Sequence, residues 1–156
     1  MPADTAKSPV FRHILVPTDG SPASQRAATA ALALAKATGG RVTGFFAAPP
    51  ATPIVFGKFL PTGYMEPHVH AAMIQRMSDK YLGKLASLAK AARVPFEGVH
   101  KTSDYPAEAI LEVAHERKCD LICIAPNTRH GIAAALLGSQ THKVVEQAKI
   151  PVLVYR

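Results

Sequence analysis

At 156 residues, 48% of them hydrophobic, the chain suits one globular domain with a full core, and no linker-like stretch divides it. Its 18 Lys and Arg outnumber 11 Asp and Glu to give +7 at pH 7, which permits an anionic partner, but aromatics make up 6% and tryptophan is absent. Without a zinc-finger, basic-zipper or RNA-stacking pattern this composition argues against nucleic acid, and apolar runs too short to span a bilayer lead us to expect a soluble, cytoplasmic protein with no membrane partner.

Taken in chain order, residues 1–9 (MPADTAKSP) are polar, lack the apolar core of a signal peptide, and read as a flexible N-terminal arm. Val10 to Val16 (VFRHILV) predicts a first strand centred on Ile14, Leu15 and Val16, stopped by the loop Pro17-Thr18-Asp19-Gly20. Ser21-Pro22 then supplies an N-cap followed by proline at the first helical position. The helix from Pro22 to Thr38 carries an alanine-rich face able to pack closely on a sheet, and Gly39-Gly40 ends it. Arg41 to Ala48 (RVTGFFAA) is a second strand, so the order opens β-α-β.

From Pro49 to Pro67 the chain is too rich in proline and glycine for a long element, yet Ile54, Val55, Phe56, Phe59 and Leu60 make it unusually apolar. Such a loop suits a cover over the domain or a partner surface, and residues 49–70 are the expected protein-partner segment. His68 and His70 form a His-x-His pair, but no third ligand is identifiable and no metal is expected. A long helix should follow from Val69 to Arg93. Met73, Met77, Tyr81, Leu85, Leu88 and Ala92 set its apolar face, and Arg76, Lys80 and Lys84 form a basic ridge that reads as solvated. A third strand, Phe96 to Lys101, and a third helix, Pro106 to Arg117, come next.

The stretch from Asp120 to Lys143 organises the rest. Leu121 to Ala125 (LICIA) has the length and β-branched content of a strand buried on both faces, and Pro126-Asn127 stops it. A small-residue loop leads to Gly138-Ser139, directly before a helix that runs to about Ala148. Unpaired backbone N–H groups and the positive end of a helix dipole converge at such a start, so the position can hold a phosphate. Serine there is also an ordinary N-cap. Ile150 to Tyr155 is a final strand. Cys119 and Cys123, four apart and on or beside one strand, read as buried reduced thiols rather than a disulfide or metal site.

Strands alternating with helices throughout imply a parallel sheet wrapped on both faces, with ligands outside the carboxyl ends of the strands where the strand order reverses. The loops Pro17 to Ser21 and Ala125 to Ser139 are therefore where a site should lie. The segments ILVPTDGS (14–21), YPAEAILEVA (105–114), DLICIA (120–125), LLGSQTHKVV (136–145) and IPVLVYR (150–156), in this order, resemble the universal stress protein family. The resemblance spans the chain from Val10 onward, with residues 49–75 its own, and makes 10–156 one domain of that family.

What the resemblance implies is an α/β fold with a five-stranded parallel sheet of order 3-2-1-4-5, adenine-nucleotide alpha-hydrolase-like. It also implies a homodimer formed through the C-terminal strand and a role in stress survival. Many members bind ATP or AMP through Gly, two residues, Gly, nine residues, then Gly-Ser or Gly-Thr. Here the first two glycine positions fall on Ala125 and Thr128, while Gly138-Ser139 is retained. Thr128 resists the conformations glycine allows, and Pro126 has no N–H to give. Ala47 stands where the family presents an apolar residue to the adenine, a thin wall, and Arg129 and His130 read equally as charge near a phosphate or as solvent-facing loop residues.

The first reading is therefore an ATP- or AMP-binding stress protein, with Mg²⁺ if the ligand is ATP. Pro17, Thr18, Asp19 and Ala47 would edge the nucleoside, with Ala125 and Thr128 in the loop. Gly138, Ser139 and the Gln140 amide would hold phosphate. The alternative is a family member that binds no nucleotide and acts as a dimeric interaction module. A hydrolase using Ser139 with His142 or His130 and Asp19 lacks a base-orienting group, so no catalytic residue is assigned. Nothing in the sequence positions a water for ATP hydrolysis.

Overall fold

The computed structural model describes residues 10–51, 65–126 and 138–156; the expected N-terminal arm and most of the apolar loop lie outside them. Five parallel strands form one sheet in the order β3-β2-β1-β4-β5: β1 His13–Pro17, β2 Arg41–Ala48, β3 Phe96–Thr102, β4 Leu121–Ile124 and β5 Val152–Val154. Between them run α1 Pro22–Thr38, α2 Pro67–Ala92, α3 Pro106–Glu116 and α4 Ser139–Gln147. Strand alternation divides the core in two. Ile14, Val16 and Val42 pack with Ala27, Ala28, Ala31 and Leu85 of α1 and α2, while Leu15, Phe45 and Ile122 pack with Ile110, Val113 and Val144 of α3 and α4.

Helix α1 begins as its sequence dictates. Ser21 is the N-cap and its side chain accepts from the Ser24 N–H, Pro22 follows, and Gly39 takes the left-handed C-cap with φ 69°. Where the strand ends differ from expectation, hydrogen bonding explains it. β1 starts at His13 rather than Val10 because Phe11 turns the chain at φ 63° and both Asp120 carboxylate oxygens, each at 2.9 Å, take the Arg12 and His13 N–H groups. β5 shortens to three residues because Pro151 has no N–H and β4 offers only Ile122, Cys123 and Ile124 to pair with it.

Helix α2 departs most. It starts at Pro67, since proline at the first helical turn is a start signal, not a breaker. Its buried face is also rotated by one residue, to Ile74, Ser78, Leu82, Leu85 and Ala89. Met73, Met77 and Tyr81, expected at the centre of the apolar face, flank it instead. A helical side chain leans toward the N-terminus, and the small Ser78 fits the space beneath the helix, where its Oγ lies 3.0 Å from His100 Nδ1. No helix among the described residues is long and apolar enough to cross a membrane.

Both cysteines are free and buried. Burial, the leading cause for each, pushes both thiols up to about 11. A thiol of that pKa is only about 0.1% thiolate at pH 8. In native protein neither should react with a thiol-disulfide reagent within minutes, and both should react at once in denaturant; rapid native labelling would contradict the burial.

Candidate functional site

The strand order reverses between β1 and β4, and there the loops leaving the two strands part. A cavity of about 420 Å³ opens at this point, within the range of small-molecule sites. Pro17, Thr18 and Asp19 border it from β1, Ala47 from β2, Ala125 from the end of β4 and Gln140 from α4. Six residues marked in the sequence thus come together. Gly138 and Ser139 stand at the start of α4 beside Gln140 but do not line the cavity, and Thr128, with Arg129 and His130, lies outside the described residues.

The β1 loop is held by its own polar groups. Thr18 is buried, donates its N–H to the Phe45 carbonyl at 2.8 Å, and keeps its Oγ1 3.1 Å from Ser24 Oγ. Asp19 Oδ1 accepts the Ser21 N–H at 2.9 Å, an Asx turn that feeds the chain into α1. Gly20, at φ 79°, makes the bend, and the Tyr81 ring packs against its Cα. This loop is pre-formed, so a ligand would not pay to order it.

The opposite wall is α4. Its N-cap is Gly138, φ −44° and ψ 154°, with no side-chain capping bond, and Ser139 is already the first helical residue. Among the described residues, no side chain caps the first-turn N–H groups. Gln140 spends its side chain on the Ala107 N–H, 3.1 Å away, which ties α4 to the first turn of α3 and leaves its backbone amide for the cavity. The Ala125 carbonyl accepts from the buried Thr141 Oγ1 at 3.4 Å.

Sequence reasoning missed part of the lining. Phe45 and Phe46 at the end of β2, Met77 and Tyr81 of α2, and Ile110 of α3 add the apolar wall that Ala47 alone would leave thin. The signal for the phenylalanines was their place beside Ala47 at a strand's carboxyl end; the contribution of α2 depends on tertiary packing and had none. Asp19 and Asp104 are the charged residues that line the cavity among those described. Among the described residues, the start of α4 offers an anionic group of a ligand backbone N–H donors and the positive end of a helix dipole.

The other sequence candidates scatter. Ser139 and His142 are exposed, no hydrogen bond joins them among the described residues, and His142 faces Glu146 at 3.9 Å. His70 Nε2 lies 3.1 Å from the Pro49 carbonyl and His68 Nδ1 lies 3.4 Å from Glu66, so the His-x-His pair points to separate partners. Arg76, Lys80 and Lys84 are exposed on α2, and the two lysines border a cleft of about 260 Å³ on the far side of Tyr81.

The universal stress protein family model matches residues 11–156. A universal stress protein of Thermus aquaticus, from the region 3′ of the QAH/OAS sulfhydrylase, is 33% identical over 147 residues, covering 94% of this chain and all of that one. Among solved structures, a universal stress protein in complex with cAMP superposes with a TM-score of 0.69 at 26% identity, covering 94% of this chain and 98% of that one. A universal stress family protein from Burkholderia pseudomallei shares the fold, with a TM-score of 0.71 at 20% identity and coverage of 93% and 96%. The chain belongs to the universal stress protein family.

Proposed function

We propose that this protein is a cytoplasmic stress-response protein that binds an adenine nucleotide, ATP or AMP, in the cavity where β1, β2 and β4 end. The observation that carries the reading is the convergence of Pro17, Thr18, Asp19, Ala47, Ala125 and Gln140 on one cavity beside an uncapped helix start. The apolar wall of Phe45, Ala47 and Ile110 suits a purine, and the Asp19 carboxylate suits ribose hydroxyls. Phosphate falls to the N–H groups of Ser139 and Gln140. The cAMP complex of a relative at 26% identity supports the ligand class. ATP would bring Mg²⁺ with it, and the reading is binding, with slow hydrolysis left open.

The second reading, a dimeric interaction module that binds no nucleotide, rests on Ala125, Thr128 and Pro126 standing in the phosphate loop. Either reading includes a homodimer through the C-terminal strand. β5 is an edge of the sheet, and Leu153 and the adjoining Tyr155 expose apolar surface there. The segment 49–70 remains the candidate for a protein partner.

Calorimetric titration with ATP and Mg²⁺, and with AMP, beside a Gly138→Val variant tests the choice. Binding in the micromolar range that weakens by roughly 100-fold, about 2.7 kcal/mol, in the variant is the expected result. No heat and no thermal stabilisation at millimolar nucleotide would reject the site in favour of the interaction module.

A further inference from the structure

We propose that the side chain of Gln140 is a positioning group for the ligand's phosphate: it fastens the start of α4 to α3 and so sets the aim of the phosphate-binding N–H groups. This role rests on the nucleotide reading above. Its ground is a helix capped by its neighbour. Tyr105, the N-cap of α3, makes no side-chain capping bond. The Tyr105 N–H goes to Ser103 Oγ at 3.0 Å, and Pro106, the first helical residue, has no N–H to satisfy. The first orphan donor of α3 is therefore the Ala107 N–H. Ala107 is 1% exposed, so water does not serve it, and a buried donor left unmet is costly. Its acceptor is Gln140 Oε1 at 3.1 Å, 33 residues further along the chain.

The same bond holds α4. Val144 is buried with Ile110 and Val113 of α3, a contact that decides which face of α4 turns inward but tolerates sliding, since apolar attraction has no direction. Direction comes from the first turn. Only the carbonyl end of the Gln140 carboxamide can accept from Ala107, so the bond also fixes which way the amide is turned. The next residue, Thr141, is buried and donates its Oγ1 to the Ala125 carbonyl at the end of β4. At 3.4 Å this second tie is the longer and weaker one, which leaves Gln140 the larger share of the constraint. Consecutive residues thus fasten the start of α4 to α3 and to β4, the elements that border the cavity through Ile110, Ile124 and Ala125.

Backbone donors converge on a phosphate only while their spacing and direction are held to within about half an ångström. A purine seated against Phe45 and Ala47 makes no such demand on α4. Loss of the Gln140 bond should therefore fall on the phosphate more than on the nucleoside, a split that general destabilisation of the fold does not produce.

The test compares AMP with adenosine by calorimetry in the whole protein, with and without Gln140→Met, which keeps side-chain length and helix propensity but loses the amide acceptor. The advantage of AMP over adenosine should fall roughly tenfold. Because Ala107 then lacks its acceptor, the variant should also unfold at lower urea. Adding Tyr105→Ser gives α3 a cap of its own from the N-cap position. The double variant should regain the urea midpoint while the AMP advantage stays low, since its α4 is still untied. An AMP advantage that survives Gln140→Met, or that returns with stability on adding Tyr105→Ser, overturns the proposal and leaves Gln140 a structural cap alone. Failure of the nucleotide reading has a separate signature. The unaltered protein would then show no heat with AMP, or bind it no tighter than adenosine, and Gln140 would have no phosphate to position.

Discussion

Replacing Phe45 with alanine should destabilise the protein by roughly 3–5 kcal/mol, one of the two largest losses we expect from a single side chain. Phe45 is fully buried on β2, packed among Leu15, Ile110 and Ile124. Its backbone is fixed on both sides, against Pro17 of β1 and Val99 of β3, so the strands cannot close over the void. One side of the void would open into the ligand cavity, which Phe45 also lines. Water entering from there would relieve part of the cavity term and place the loss toward the lower end of the range. The Thr18 N–H still finds the Phe45 carbonyl, so the β1 loop should keep its place. Urea unfolding would show a lower midpoint at unchanged slope. A loss under about 1 kcal/mol would mean that Phe45 does not hold the floor of the cavity.

The architecture was legible because each element announces itself locally. Ser21-Pro22 and Gly39-Gly40 bracket α1, the β-branched run at Leu121 marks a strand buried on both faces, and the alternation of the two periods leaves few topologies. What was not legible depended on contacts between distant residues. That Asp120 would cap the start of β1, 107 residues earlier, has no local signature. Nor has the one-residue rotation of α2, which follows from Ser78 meeting His100 and from Leu82 resting over Gly98. For the same reason the sequence pointed to the loops of β1 and β4 but not to Tyr81 and Met77, which reach the cavity from a helix whose apolar stripe looked like ordinary core.

The second large effect should come from Gly20. Two independent constraints meet there: φ is +79°, and an added Cβ would stand 2.3 to 2.7 Å from three atoms of the Tyr81 ring. Gly20→Ala therefore pays backbone strain of about 1 kcal/mol or more and must also displace the ring. Tyr81 has little freedom to yield without loss. It meets Phe46 edge-on, with centroids 5.2 Å apart and planes at 88°, a contact worth about 0.5–1.5 kcal/mol beyond its area. We expect a total of roughly 2–4 kcal/mol. Because Tyr81 divides the ligand cavity from the lysine-lined cleft, moving it should also change the cavity's shape and weaken nucleotide binding about tenfold. Gly83, two residues further along α2, is the internal comparison. A Cβ there meets nothing within 4 Å, so Gly83→Ala should stabilise the helix by up to about 1 kcal/mol. The double variant Gly20→Ala with Tyr81→Ala separates the two constraints. If the ring is the obstacle, its removal returns the steric part of the loss and leaves the backbone strain, giving a coupling of about 1 kcal/mol or more. If the two losses simply add, Tyr81 yields freely, and the pre-formed shape of the β1 loop must come from the turn at Asp19 and Ser21 instead.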